Sequence, residues 1–285
     1  MAPGEVRWDL SDFPFFLGRV EVASGYVRPT ARFSDRVDNY VKYRPGYPLA
    51  VLDLLKKEAG WNEQSVVADV GSGTGILTEM YLQAGNEVFA VEPNLEMRTA
   101  AERLLAGYPR LHSVAGTAEQ TGLADHSVDL VSAGQAFHWF DPVRAKVELQ
   151  RILRPEGAVA LIWNKRLTTT SPFLIAYEAF LLQHGTDYKH VDHTRISEVM
   201  LAEFFRPGSF TYHSFFNRQV FDREGLRGRL LSSSYVPAAG QSGYGPCLRT
   251  LMPCLRPTRT TGMSSLTTIP TSIWAGLKAE APPES

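Results

Sequence analysis

The chain has 285 residues, 44% of them hydrophobic, enough for one sizeable α/β domain or two small ones with a substantial core. A formal net charge of −1 gives no basic excess, so nucleic-acid binding is not expected, because neutralising phosphates takes clustered Lys and Arg. No apolar stretch has the length to cross a bilayer, the start lacks a basic segment followed by an apolar one, and Cys247 and Cys254 do not make a disulfide scaffold. The expected setting is cytoplasmic, with no membrane partner.

In chain order, residues 1–32 are an N-terminal extension in which Phe13-Pro14-Phe15-Phe16-Leu17 reads equally as an apolar clip or as disordered chain. From Phe33 the pattern becomes regular. A short helix over 36–43 leads into the turn Arg44-Pro45-Gly46. Pro48 suits a first helical turn, residues 49–59 carry apolar side chains at helical spacing, and Gly60 ends that helix. Strands and helices then alternate: strand 66–70, helix 76–84, strand 87–91, helix 95–106, strands 111–115 and 128–133, helix 142–153, the turn Arg154-Pro155-Glu156-Gly157, and strand 158–163. Short β-branched runs without strict alternation suit strands buried on both faces. Their alternation with helices predicts a doubly wound, mostly parallel α/β sheet. Residues 172–205 read as an aromatic-rich helical insert over the sheet's ligand edge, 210–221 as a strand region and 223–234 as a helix. Residues 33–246 thus form one domain with a cap at 33–60, while 247–285, crowded with Thr, Ser, Pro and Arg, form an irregular tail.

The most informative stretch is Asp69-Val70-Gly71-Ser72-Gly73-Thr74-Gly75, directly after the apolar run 66–68. Glycine lacks a Cβ and tolerates left-handed φ, so such a turn lets backbone approach a ligand closely. The next strand ends in Glu92, a carboxylate able to accept both hydroxyls of a ribose. Together they describe a nucleoside-type cofactor at the carboxyl ends of a parallel sheet. The dinucleotide fingerprint G-x-G-x-x-G is not met, because the spacing is G-x-G-x-G and Ile76 stands where its third glycine belongs. Asp69 suits a cationic amino group and would repel a pyrophosphate. These residues point to an S-adenosylmethionine pocket. The bland alternative, a plain strand-to-helix connection, explains the glycines but not Asp69 and Glu92.

These motifs resemble those of class I S-adenosylmethionine-dependent methyltransferases, in particular the small-molecule, trans-aconitate-methyltransferase-like group. The stretch 33–48 is similar to that group's N-terminal cap, Asp69–Gly75 to its first motif and Val91-Glu92-Pro93 to its second. Gly116-Thr117-Ala118-Glu119 resembles the turn that contacts adenine, Gln135-Ala136-Phe137-His138-Trp139-Phe140 the segment after strand four, and 230–237 another segment typical of these proteins. The resemblance implies a Rossmann-like sheet of the seven-stranded type, whose last strand inserts antiparallel between strands five and six. The tail departs from that pattern, and the last strand is expected to be missing. Shifting the frame of Thr271-Ser272-Ile273-Trp274-Ala275-Gly276 permits the strand-like Asp-Ile-Tyr-Met-Gly-Arg. A frameshift that scrambled the end is therefore expected, leaving a sheet edge unpaired.

The resemblance assigns the backbone of Gly71, Ser72, Gly73 and Gly75 to the methionine portion, Asp69 to its ammonium or the local hydrogen bonds, and Glu92 with Pro93 to the ribose. Thr117, Ala118 and Glu119 are expected at the adenine, although a carboxylate beginning a helix is also favoured by the helix dipole. Gln135, Phe137, His138 and Trp139 stand where the methyl group must emerge, and aromatic faces attract the sulfonium cation. His138 is the candidate general base, since imidazole titrates near neutrality; for a carboxylate nucleophile it orients the acceptor instead. A buried aromatic cluster is the competing reading. In the cap, Tyr40 and Arg44 are assigned to the cofactor and Tyr43 to the acceptor, with Arg44 able to grip a carboxylate of either. His184, His190 and His193, near Asp187 and Asp192, fit no zinc spacing, so no metal is expected.

The sequence reading is a methyltransferase moving a methyl group from S-adenosylmethionine to an O or N atom of a small molecule, with carboxylic acids suggested by resemblance. Two alternatives stand beside it. One is a catalytically impaired methyltransferase-like scaffold that binds cofactor or a partner. The other is an NAD-dependent oxidoreductase, against which Asp69 and Ile76 count.

Overall fold

The computed structural model describes residues 6–7, 41–186, 188, 197–208, 210–233, 235–237, 239–254, 267–268 and 271–275. In chain order these hold β1 (Val6–Arg7), α1 (Ala50–Ala59), β2 (Val66–Val70), α2 (Ile76–Gln83), β3 (Glu87–Val91), α3 (Leu95–Leu104), β4 (Leu111–Val114) and β5 (Val128–Gly134). A 3₁₀ turn (Phe137–Trp139), α4 (Pro142–Ile152), β6 (Leu153–Asn164), α5 (Pro172–His184), α6 (Glu198–Phe205), β7 (Thr211–Phe215) and β8 (Arg218–Gln219) follow. The last elements are α7 (Arg223–Leu231), α8 (Tyr244–Cys254), β9 (Thr267–Thr268) and β10 (Thr271–Ala275).

The helix ends are set by local chemistry. Gly60 takes φ +66° and returns its N–H to the Leu55 carbonyl, closing α1 as a left-handed cap. Asn94 opens α3 by accepting from Met97 N at 2.9 Å. Asp141 opens α4 ahead of Pro142, its side chain accepting from the N–H groups of Val143 and Arg144.

The main sheet runs β1-β7-β10-β6-β5-β2-β3-β4. The five strands β6-β5-β2-β3-β4 are mutually parallel, as alternating strands and helices predict. Chain order reverses between β2 and β5, so a crevice opens there at the carboxyl ends of the strands. Successive strand residues point to opposite faces, which splits the core in two. Ala68, Val70, Val131, Ala133, Val159 and Leu161 face one side with the side chains of α4 and α6. Val67, Leu130, Ala158, Ala160 and Ile162 face the other with those of α1 and α2. A third cluster joins Tyr177, Phe180 and Leu181 of α5 to Leu226 and Leu230 of α7 and Cys247 of α8, forming a cap.

Three expectations are corrected. The turn at 154–157 lies within β6, where Leu153 pairs with Val128 and Ala158 with Leu130, so the four residues bulge out of the ladder. The stretch 172–205 is not one insert: α5 belongs to the cap, whereas Leu201, Phe204 and Phe205 of α6 are buried in the sheet's own core. The tail is not irregular throughout. It carries α8, and Thr271–Ala275 fills the position expected to be empty, antiparallel to both β6 and β7. Ladder hydrogen bonds use backbone groups alone, and those of two facing strands must find partners when buried; a five-residue segment with Thr, Ile and Trp suffices. The in-frame residues therefore supply a strand. The extension 8–32 and most of the cap's first helix lie outside the described residues. Among the described residues, no helix is long and apolar enough to cross a membrane.

Candidate active site

The turn between β2 and α2 is left-handed at all three glycines, with φ of +72° at Gly71, +58° at Gly73 and +86° at Gly75. The reasons differ along it. A Cβ on Gly71 would sit 2.6 Å from Ala136 Cβ, and one on Gly75 would sit 2.6 Å from Leu105 Cδ1, whereas one on Gly73 would meet open space. Gly71 and Gly75 thus let neighbouring elements close in, and Gly73 faces the unfilled side.

β3 and this turn are joined. The N–H groups of Gly71 and Ser72 donate to the Val91 carbonyl at 2.8 and 3.2 Å. Glu92 accepts from Gly73 N at 2.9 Å and from Asn94 N at 2.8 Å. It is buried, which raises its pKa, while those two N–H groups and Arg98 pull the other way. Asp69 lies fully buried beneath the turn, one carboxylate oxygen accepting from Thr78 Oγ1 at 2.6 Å. Loss of water pushes its pKa up to about 7, with the Glu92 charge acting in the same direction. The other Asp69 oxygen, Ser72 Oγ and Thr74 Oγ1 are buried with no hydrogen-bond partner among the described residues. A carboxylate oxygen and two hydroxyls left over beside an open glycine fit an amino-acid moiety carrying both an ammonium and a carboxylate.

The other predicted residues fall into two sets. Pro93 is exposed beside Glu92, and Ala118 is buried in the core. Thr117 exchanges backbone hydrogen bonds with Gln120, while Glu119 Oε1 accepts from Asp141 N at 2.8 Å, tying the turn after β4 to the start of α4. Gln135, just past β5, has φ +57° and donates its N–H to the Ile162 carbonyl at 2.8 Å. A left-handed conformation at a non-glycine residue is uncommon and collects at ligand sites. His138 and Trp139 lie half-buried together, ring centroids 4.6 Å apart. Phe137 is a correction: its ring is buried and packs edge-on against Phe140, Trp163 and Phe204, backing the site rather than facing it.

In the cap, Arg44 donates to the Ser232 carbonyl at 2.8 Å, and a Cβ on Gly228 would lie 2.0 Å from the Tyr43 ring. Both residues therefore dock the 41–48 segment on α7. Tyr40 lies outside the described residues, as do His190, His193, Asp187 and Asp192. His184 packs on Phe180 with centroids 4.9 Å apart. The sequence reading missed Tyr47, whose hydroxyl lies 2.6 Å from where a Gly134 Cβ would be, over the end of β5. Asn217 holds that segment, donating to the Gly46 carbonyl and to Asn164 Oδ1 at 2.9 Å each. It missed Arg166 and Arg229 as well. Only the turn Arg44-Pro45-Gly46 hinted at any of these, since Tyr47 meets Gly134 across 87 positions of the chain.

The family model for a methyltransferase domain matches residues 68–161. An uncharacterized methyltransferase of Mycobacterium tuberculosis is 42% identical over 134 residues, 47% of this chain and 52% of the relative. A malonyl-[acyl-carrier protein] O-methyltransferase of Marinomonas sp. is 31% identical over 142 residues, 48% of this chain and 52% of the relative. The chain thus spans about half the length of the curated relatives it matches. A solved structure from Anaeromyxobacter dehalogenans, described as a type II methyltransferase, covers 84% of this chain and 100% of its own with a TM-score of 0.55 and 25% identity. Residues 68–161 thus match a methyltransferase domain, and the fold of the chain is similar to that of the solved methyltransferase structure.

Proposed function

We propose that the protein transfers a methyl group from S-adenosylmethionine to an oxygen or nitrogen of a small molecule. The observation that carries this reading is the Glu92 carboxylate bonded to Gly73 N inside a left-handed glycine turn. One residue would thereby fix both places where an adenosyl amino acid would be held. Glu92 would take the ribose hydroxyls, the Gly71–Gly75 backbone with Asp69 the methionine end, and Thr117 to Glu119 the adenine edge. When bound, this cofactor supplies an electrophilic methyl carbon on a sulfonium whose departure as a thioether needs no acid.

The chain's own task is alignment and exclusion of water, which can account for a large part of such a rate enhancement. His138 and Trp139 flank the mouth after β5, with Tyr47 above Gly134. For a hydroxyl or amine acceptor, His138 takes the proton that leaves the nucleophile. A carboxylate acceptor has no proton to lose, and His138 then orients it. O-methylation of a carboxyl group has the support of the likeness to malonyl-[acyl-carrier protein] O-methyltransferase.

Calorimetric titration with S-adenosylhomocysteine, with NAD as control, tests the cofactor. Binding of the first alone is expected. Binding of NAD, or of neither by folded protein, overturns the reading.

A further inference from the structure

Among the described residues of the cap and the strand end beneath it, Arg44, Arg166 and Arg229 share one bonded carboxylate, that of Glu178. Arg166 follows β6 by two residues, its Nη2 donating to Glu178 Oε2 and, at 2.9 Å, to the Tyr188 hydroxyl. Its guanidinium carbon lies 5.1 Å from the centre of the Tyr177 ring. Its Nη1 is buried with no hydrogen-bond partner among the described residues. Arg229, on α7, donates from Nη1 to Ser232 Oγ at 3.4 Å and Ser233 Oγ at 3.2 Å, and its Nε is likewise buried with no partner among the described residues. No carboxylate bonds Arg229 among the described residues, and the nearby charges of Arg44 and Arg166, after burial itself, disfavour its protonated form. Arg44 donates into the same corner, to the Ser232 carbonyl. Buried cations are ordinarily paired, because desolvating a charge is costly.

We infer that Arg166 and Arg229 form an anion subsite in the cap, holding a carboxylate of the methyl acceptor that is not itself methylated. This rests on the methyltransferase reading above, and it makes the acceptor an organic acid with a second reactive group. The order of the strands favours the acceptor over the cofactor as the source of the anion. The proposed cofactor lies along β3 and β2, the methyl group emerges past β5, and Arg166 leaves the next strand, β6. With neighbouring strands about 4.8 Å apart, the root of Arg166 stands roughly 10 Å from that of the glycine turn, on the far side of the reacting centre. Two single N–H donors on separate guanidinium groups suit the two oxygens of a carboxylate.

The test uses the full chain. Succinate, glutarate and citrate are titrated by calorimetry and by thermal shift, with and without saturating S-adenosylhomocysteine, against the neutral glutaramide and inorganic phosphate. At least one acid should bind and raise Tm, and glutaramide should not. Arg166→Gln and Arg229→Gln should weaken that acid at least tenfold while S-adenosylhomocysteine affinity changes less than twofold, and Arg166→Lys should restore part of it. Without ligand, Arg229→Gln should hold or raise Tm, since it removes a partly buried charge that no carboxylate bonds among the described residues; a structural ion pair would lower it. Failure of every acid to bind overturns the inference, as does equal binding of acid to both Gln variants. A loss of S-adenosylhomocysteine affinity instead would assign the arginines to the cofactor. If acids bind and S-adenosylhomocysteine does not, the subsite stands and the cofactor reading falls; the reverse pattern does the opposite.

Discussion

Glu92 holds the N–H of Gly73 at 2.9 Å, so the residue proposed to receive a ribose also shapes the turn beside it. Its other oxygen takes Asn94 N at 2.8 Å, which starts α3. Replacing Glu92 with Ala removes charged acceptors for two hydroxyls and frees the turn. Hydrogen bonds to charged groups contribute about 1.5–3 kcal/mol each, so S-adenosylhomocysteine should bind at least about tenfold more weakly. Calorimetry on Glu92→Ala reads this, and unchanged affinity would remove Glu92 from the pocket.

Asp69 gives a pH signature. Its pKa stands near 7 in the fold, against about 3.9 in an unfolded chain. The sign follows from linkage: a carboxyl raised by folding favours the fold at low pH, and that contribution is lost as pH rises from about 4 towards 7. A bound cation favours the carboxylate, so cofactor binding near pH 6 should release a proton, and affinity should rise with pH before levelling above 7. Heats measured in buffers of different protonation enthalpy report the proton directly. In Asp69→Asn the release should vanish.

Two glycines two residues apart should fail differently. Gly71→Ala meets Ala136 Cβ at 2.6 Å as well as strained φ, and should lower stability by about 1–3 kcal/mol. Gly73→Ala carries backbone strain of about 1–2 kcal/mol without a clash, but its methyl enters the open side. Its larger effect should be on cofactor affinity. Denaturant titration and calorimetry on both variants separate the two.

Phe204 stacks edge-on with Phe137, centroids 4.7 Å apart, deep in the core. Phe204→Ala should cost about 3–5 kcal/mol of stability. His138→Ala should leave Tm nearly unchanged and depress turnover once an acceptor is in hand. If Phe204→Ala were neutral to stability, α6 would be a lid after all.

The tail can be tested through the backbone alone. Ile273 pairs with Ile162 on one side and His213 on the other. A proline there deletes a ladder donor in the middle of the sheet, which central strands do not tolerate. Ile273→Pro should abolish cooperative unfolding or destabilise by about 3 kcal/mol or more, and an unaltered melt would mean β10 adds nothing.

Local chemistry alone determined a good deal. The left-handed turn from Gly71 to Gly75 was legible because positive φ favours glycine, and the glycines are written in adjacent residues. The parallel sheet was legible because strands buried on two faces read as unbroken apolar runs. What only the tertiary structure decided are relations between distant segments. Phe137 looked like a site residue and became core because Phe204 arrives from 67 positions further on. The tail looked patternless, yet Thr271–Ala275 lies between β6 and β7, whose backbone groups supply the partners its own sequence does not specify. Arg166 and Arg229 carried no signal in the sequence, because the partial burial that brings them together belongs to the packing of elements and not to any one of them.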